Sequence, residues 1–145
     1  VSLQSTNFVE RADAEAAVRE IGTNAVPTLI AYISHHDSAA EKWLTRWLSR
    51  NGLFTRDRFS ENYYRSKALC GFRALGTNGQ SAVPELRQIA ADPTIASYAA
   101  TALLFVAPSE AEKLAEEWLA DTNRIVKFRG SRLRGEIANR FEDLR

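Results

Sequence analysis

Apolar residues recur along this chain at the three- and four-residue spacing of an amphipathic helix, and over no useful length do they alternate at period two. Ala14, Ala17, Val18 and Ile21 form one such face, and Ala68, Leu69, Phe72 and Leu75 form another. Each run stops at a glycine, Gly22 or Gly76, the residue that most easily takes the left-handed conformation closing a helix. A short polar link follows. Asn24 in one copy and Ser81 in the other then stand three residues ahead of a proline, Pro27 or Pro84. Both are residues suited to capping a helix, and proline is tolerated in a first turn whose backbone donors have no intrahelical partner. The helices so opened carry Leu29, Ile30 and Ile33 in the first copy and Leu86, Ile89 and Ala90 in the second. The repeated unit is predicted to be a helical hairpin.

A third, degenerate copy follows. Asp92-Pro93 is predicted to cap a helix bearing Ala99, Ala102, Leu103 and Val106, and Ser109 with Glu112 has the spacing of a capping box for a partner carrying Leu114, Ala115, Trp118 and Leu119. Residues Ser131 to Leu144 read as the first helix of a further unit, with Leu133, Ile137, Phe141 and Leu144 on one face. Between the first two units, Ser38 and Glu41 form another capping box, opening a helix with Trp43, Leu44, Trp47 and Leu48, and a loop runs from Leu53 to Ser60. The expected organisation is one all-α domain over residues 1–145, with units at about 10–37, 61–92 and 93–121, an insertion at 38–60 and a partial unit at 122–145.

The phrase Val18-Arg19-Glu20-Ile21-Gly22-Thr23-Asn24-Ala25-Val26-Pro27, echoed by Leu75-Gly76-Thr77-Asn78-Gly79-Gln80-Ser81-Ala82-Val83-Pro84, resembles HEAT-repeat proteins, in particular bacterial members of that armadillo-like family. The resemblance covers about residues 10–121. It departs from the family pattern at the insertion and in the third unit, where Ala107-Pro108 replaces the glycine link. It implies an α-α superhelix of about three hairpins plus the inserted and C-terminal helices. Its concave face would be lined by the second helix of each pair. It also implies a non-catalytic protein-interaction scaffold with a protein partner. On that face Thr28, Tyr32, Arg87 and Gln88 are the partner-binding candidates, polar or amphipathic residues off the core side.

With 45% apolar residues in 145, the chain can bury a core. Its net charge is only +1, but the charge is banded. Residues 1–41 hold two basic and six acidic side chains, 42–73 eight and two, 74–121 two and seven, and 122–145 seven and three. The first positive band interleaves Lys42, Arg46, Arg50, Arg56, Arg58, Arg65 and Lys67 with Trp43, Trp47, Phe54, Phe59, Tyr63 and Tyr64. Arginine beside aromatic platforms suits a single-stranded nucleic acid or another anionic polymer. The alternative function is therefore anion binding through Arg46, Arg50, Arg56 and Arg58. Against it, Trp43 and Trp47 sit at core spacing with Leu44 and Leu48, and the acidic bands can neutralise the positive one.

Candidate chemistry is sparse. His35 and His36 are adjacent, so on a helix they point about 100° apart and cannot chelate as residues four apart do. They are expected to complement the C-terminus of their helix. Cys70, the single cysteine, cannot form an internal disulfide and reads as a small buried hydrophobe. No catalytic, cofactor-binding or metal site is assigned, and no apolar run reaches the length of a membrane span. Val1 in place of Met suggests an upstream segment removed, so the sequence leaves the compartment open between cytoplasmic and exported, the latter if a signal preceded Val1.

Overall fold

A computed structural model describes Ala16, residues 18–36 and residues 61–142. The helices are α1 (Val26–Ile33), α2 (Glu61–Leu75), α3 (Val83–Ile89), α4 (Ala96–Val106), α5 (Pro108–Ala120) and α6 (Arg124–Glu142). Tight 3-10 segments, Gly22–Ala25 and Gly76–Ala82, lead into α1 and α3. Among the described residues there is no strand. The inserted helix and loop expected at 38–60 lie outside the described residues, as do Ala14, Ala17 and Leu144.

The echoed stretches share a backbone. Gly22 and Gly76 have φ of +62° and +52°, and no other described residue has a positive φ. Beyond each glycine the chain tightens into a 3-10 helix and re-enters the α conformation with nearly equal angles, −74°/−21° at Ala25 and −79°/−11° at Ala82. The second link is longer, seven residues against four. A 3-10 helix has about three residues per turn, so three extra residues add one whole turn and leave the exit direction unchanged.

This continuity also changes the expected capping. Ala25 and Ala82 occupy the N-cap positions, and neither Asn24 nor Ser81 caps through its side chain. The preceding 3-10 turn supplies carbonyls instead: Val26 N–H donates to Thr23 O, and Val83 N–H to Gln80 O. The Ser109–Glu112 box likewise does not form. Ala107 is the N-cap of α5 without a side-chain bond, and its carbonyl accepts from Glu110 and Ala111. Nor does Asp92 cap α4 through its side chain: the N-cap is Ile95, and Asp92 Oδ1 instead closes the turn ahead of the helix, accepting from Thr94 N at 2.8 Å and Thr94 Oγ1 at 2.7 Å.

The predicted apolar faces point inward. Leu29 and Ile33 of α1, Ala68, Phe72 and Leu75 of α2, and Leu86 and Ala90 around α3 are buried. Phe72, Ile33, Leu86, Leu103 and Val106 are the largest fully buried side chains. Helix α4 has no charged residue and is buried around most of its circumference, because α2, α3, α5 and α6 all pack on it. The one marked departure is Ile21, exposed where its counterpart Leu75 is buried.

Helix α6 begins at Arg124, seven residues before the start the sequence reading placed at Ser131. Its N-cap chemistry is visible: Asn123 Oδ1 accepts from Ile125 N–H at 2.9 Å, and Asp121 Oδ1 from Asn123 N–H at 2.7 Å. Gly130 does not end a helix but lets two helices meet. A Cβ there would lie 2.9 Å from Leu119 N and 3.0 Å from Ala115 O, both backbone atoms of α5.

Side-chain hydrogen bonds tie α2 to α4 and α4 with its approach to α6. Tyr98 Oη donates to Asn62 Oδ1 at 3.1 Å, linking α4 to α2 across 36 residues. Arg140 Nη1 donates to Leu104 O at 2.9 Å, linking α6 to α4 across 36 residues again. Arg129 Nη2 donates to Pro93 O at 2.8 Å with the same separation.

Candidate functional site

Thr28 and Tyr32 lie one turn apart on α1, and both are exposed. Gln88 is exposed on α3. Arg87 is only half-exposed and already engaged: its Nη2 pairs with Glu117 of α5, and its Nη1 lies 3.7 Å from Glu110 Oε2. Glu110 also accepts from Lys113 Nζ at 2.7 Å. That hydrogen bond, with the Lys113 and Arg87 charges, holds the Glu110 carboxyl below its ordinary range. Arg87 therefore ties α3 to α5.

Tyr32 is not an isolated surface residue. Its ring lies 5.5 Å from that of Tyr64 on α2, and Tyr64 also packs against Tyr63 at 5.7 Å and His35 at 4.6 Å. The result is an aromatic row where the C-terminal end of α1 meets the N-terminal end of α2. His35 follows α1, whose last turn is closed by Ser34 N–H donating to Ile30 O.

Cations are built into this row. Arg65 is 5% exposed. Its Nη2 donates to the His35 carbonyl at 3.1 Å, and its guanidinium sits 5.6 Å above the Tyr98 ring. Lys67 Nζ lies 4.8 Å over Tyr63. Asp92, held below the usual carboxylate range mainly by its hydrogen bonds from Thr94, also feels His36 and Arg65. Arg65 thus fastens α1, α2 and α4 together, while Lys67 pairs with a ring of its own helix. Arg46, Arg50, Arg56 and Arg58 lie outside the described residues.

Cys70 is half-buried in α2. Among the described residues no group of three or more His, Cys, Asp or Glu side chains could hold a metal ion. Nor is any helix among them long and apolar enough to cross a membrane.

The sequence reading missed a second surface. An open groove of about 200 Å³ lies between α4 and α6, floored by Ala100, Trp118 and Leu133 and edged by Ile125 and Phe128. Ile125 is 63% and Phe128 70% exposed. The legible signal was the Asp121-Thr122-Asn123 cap, which starts α6 early enough to carry both residues. Tyr98 was missed too; only its 36-residue offset from Asn62 points to it.

No family model matches the chain, and comparison with curated proteins and with solved structures returns no match.

Proposed function

We propose that this chain is a HEAT-like helical-repeat scaffold, a short superhelical stack of hairpins that docks a partner protein without catalysing a reaction on it. The observation that carries the reading is the backbone shared by the two echoed links: Gly22 and Gly76 both hold positive φ, and each leads through a 3-10 turn into a helix with proline in its first turn. A repeated sequence phrase that folds the same way twice is what a repeated structural unit requires. A stack of this kind offers extended faces whose outward side chains the fold does not need.

The docking face is assigned to α1, α3 and α5, with Thr28, Tyr32 and Gln88 as contact residues. Tyr32 is the anchor: an aromatic ring 37% exposed and packed at a tilt against Tyr64 presents rigid apolar area with a polar tip. Arg87 serves the face indirectly by holding α3 against α5.

Protein docking is favoured over anionic-polymer binding because Arg65, the buried cation of the first positive band, already serves the fold. Affinity capture from the source cell's extract, with the parent chain and a Thr28→Ala/Tyr32→Ala/Gln88→Ala variant compared side by side, tests this. A specific protein retained by the parent and lost by the equally folded variant is expected. Steeply salt-dependent oligonucleotide binding, abolished by charge reversal at Arg46, Arg50, Arg56 and Arg58, would replace this reading with the anion-binding one.

A further inference from the structure

The α4–α6 groove is formed by other helices than those carrying Thr28, Tyr32 and Gln88, and its walls are held in place. Arg129 fastens the first turns of α6 to the Pro93 carbonyl at 2.8 Å. Glu136 bridges the two helices' side chains, accepting from Thr101 Oγ1 at 3.4 Å and from Arg132 Nε at 3.2 Å. Between these ties the floor is apolar, and the lip carries Phe128 and Ile125 turned to solvent.

Charge is arranged around that lip. Arg124, Phe128 and Arg132 follow at four-residue spacing, so they form one strip along α6 with a guanidinium one turn to either side of the ring. Lys127 is exposed next to Phe128. Arg124 and Lys127 have no acidic partner among the described residues. In sequence, α6 holds six basic and two acidic residues. A cavity of about 200 Å³ admits one large side chain. A flat bilayer surface would leave such a concavity unfilled. A phosphate backbone would meet Ile125 and Phe128 where it needs cations.

We propose that this groove seats an acidic segment of a partner protein, one apolar side chain inserted against Trp118, Leu133 and Phe128 while flanking carboxylates meet Arg124 and Lys127. The proposal rests on the docking-scaffold reading only in taking the ligand to be a protein.

Phage-displayed peptide selection on the immobilised full chain tests it. The peptides recovered should combine aspartate or glutamate with one large apolar residue. Their synthetic counterparts should bind about tenfold more weakly to Phe128→Ser, as for an interface anchor, and more weakly again to Arg124→Glu/Lys127→Glu. Tyr32→Ala/Gln88→Ala should leave this binding unchanged. Recovery of no peptide, of peptides lacking that pattern, or of peptides indifferent to both groove variants would overturn the assignment. So would phosphatidylserine vesicles, oligonucleotides or a second copy of the chain binding through the same residues in their place. Partner capture through Tyr32 without a groove-dependent peptide sinks this inference alone, and the converse sinks only the docking face on α1, α3 and α5.

Discussion

Replacing Gly76 with alanine isolates the backbone conformation of the link from any change in packing. Gly76 holds φ at +52°, and a Cβ built on it meets no heavy atom within 4 Å. No clash is added; only the left-handed conformation is penalised. That conformation costs an L-residue about 1–2 kcal/mol. Alanine's smaller unfolded-state entropy offsets about 0.4–1 kcal/mol of this. The net destabilisation should lie between about 0 and 1.6 kcal/mol, near 0.8 kcal/mol at the midpoints, or a fall in Tm of about 3 °C for a chain of this size. Gly76→Asn should lie between the two, because asparagine visits the left-handed region more readily. Urea titration followed by circular dichroism measures the loss, with an unchanged slope showing that the same surface is exposed on unfolding. A Gly76→Ala protein more stable than the parent would refute the claim that the helix–glycine–helix link depends on a left-handed residue.

Three further outcomes follow from the side-chain ties. Arg65→Met should destabilise by about 1–3 kcal/mol, since it removes the bond to the His35 carbonyl and the contact with Tyr98; Arg65→Lys should recover little, because one ammonium cannot serve both. In a double-mutant cycle, Arg87→Gln and Glu117→Gln should couple by about 0.2–1 kcal/mol and less at high salt, as expected of a half-exposed pair. Asp92 titrates below its ordinary value of 3.8 when folded, so its stabilisation is complete above that pH and fades as pH falls toward the folded value. Thermal melts of the parent should therefore lose stability on acidification below about pH 4 faster than those of Asp92→Asn.

The sequence made the helices and their links legible because the markers are local. A glycine that must adopt positive φ and a proline in a first turn act within a few residues, so Gly22, Gly76, Pro27 and Pro84 place their elements without tertiary information. The buried faces were legible for the same reason, down to Ala99, Ala102, Leu103 and Val106 of α4. Capping was misread at Asn24, Ser81 and Ser109 because a backbone carbonyl one turn upstream can satisfy the same donor, and composition does not separate the two solutions. The helix read from Ser131 starts at Arg124 instead, because Asn123 caps it there and its first turns carry the exposed Ile125 and Phe128, which add nothing to the apolar face the periodicity picks out. The groove was hidden for that reason. Of the candidate contact residues, Arg87 looked available in sequence and is held by Glu110 and Glu117, which follow it by 23 and 30 positions.

The central claim is that helix pairs form layers, each supported by its neighbours. Native-state hydrogen exchange on Gly130→Ala tests it most directly, because the added Cβ must push α6 away from the α5 backbone at one end of the described chain. In a stack, faster exchange should be confined to α6, α5 and the adjoining α4, with α1 and α2 exchanging as in the parent protein. Acceleration of equal size in α1 and α2 would show one indivisible globular unit and contradict the account.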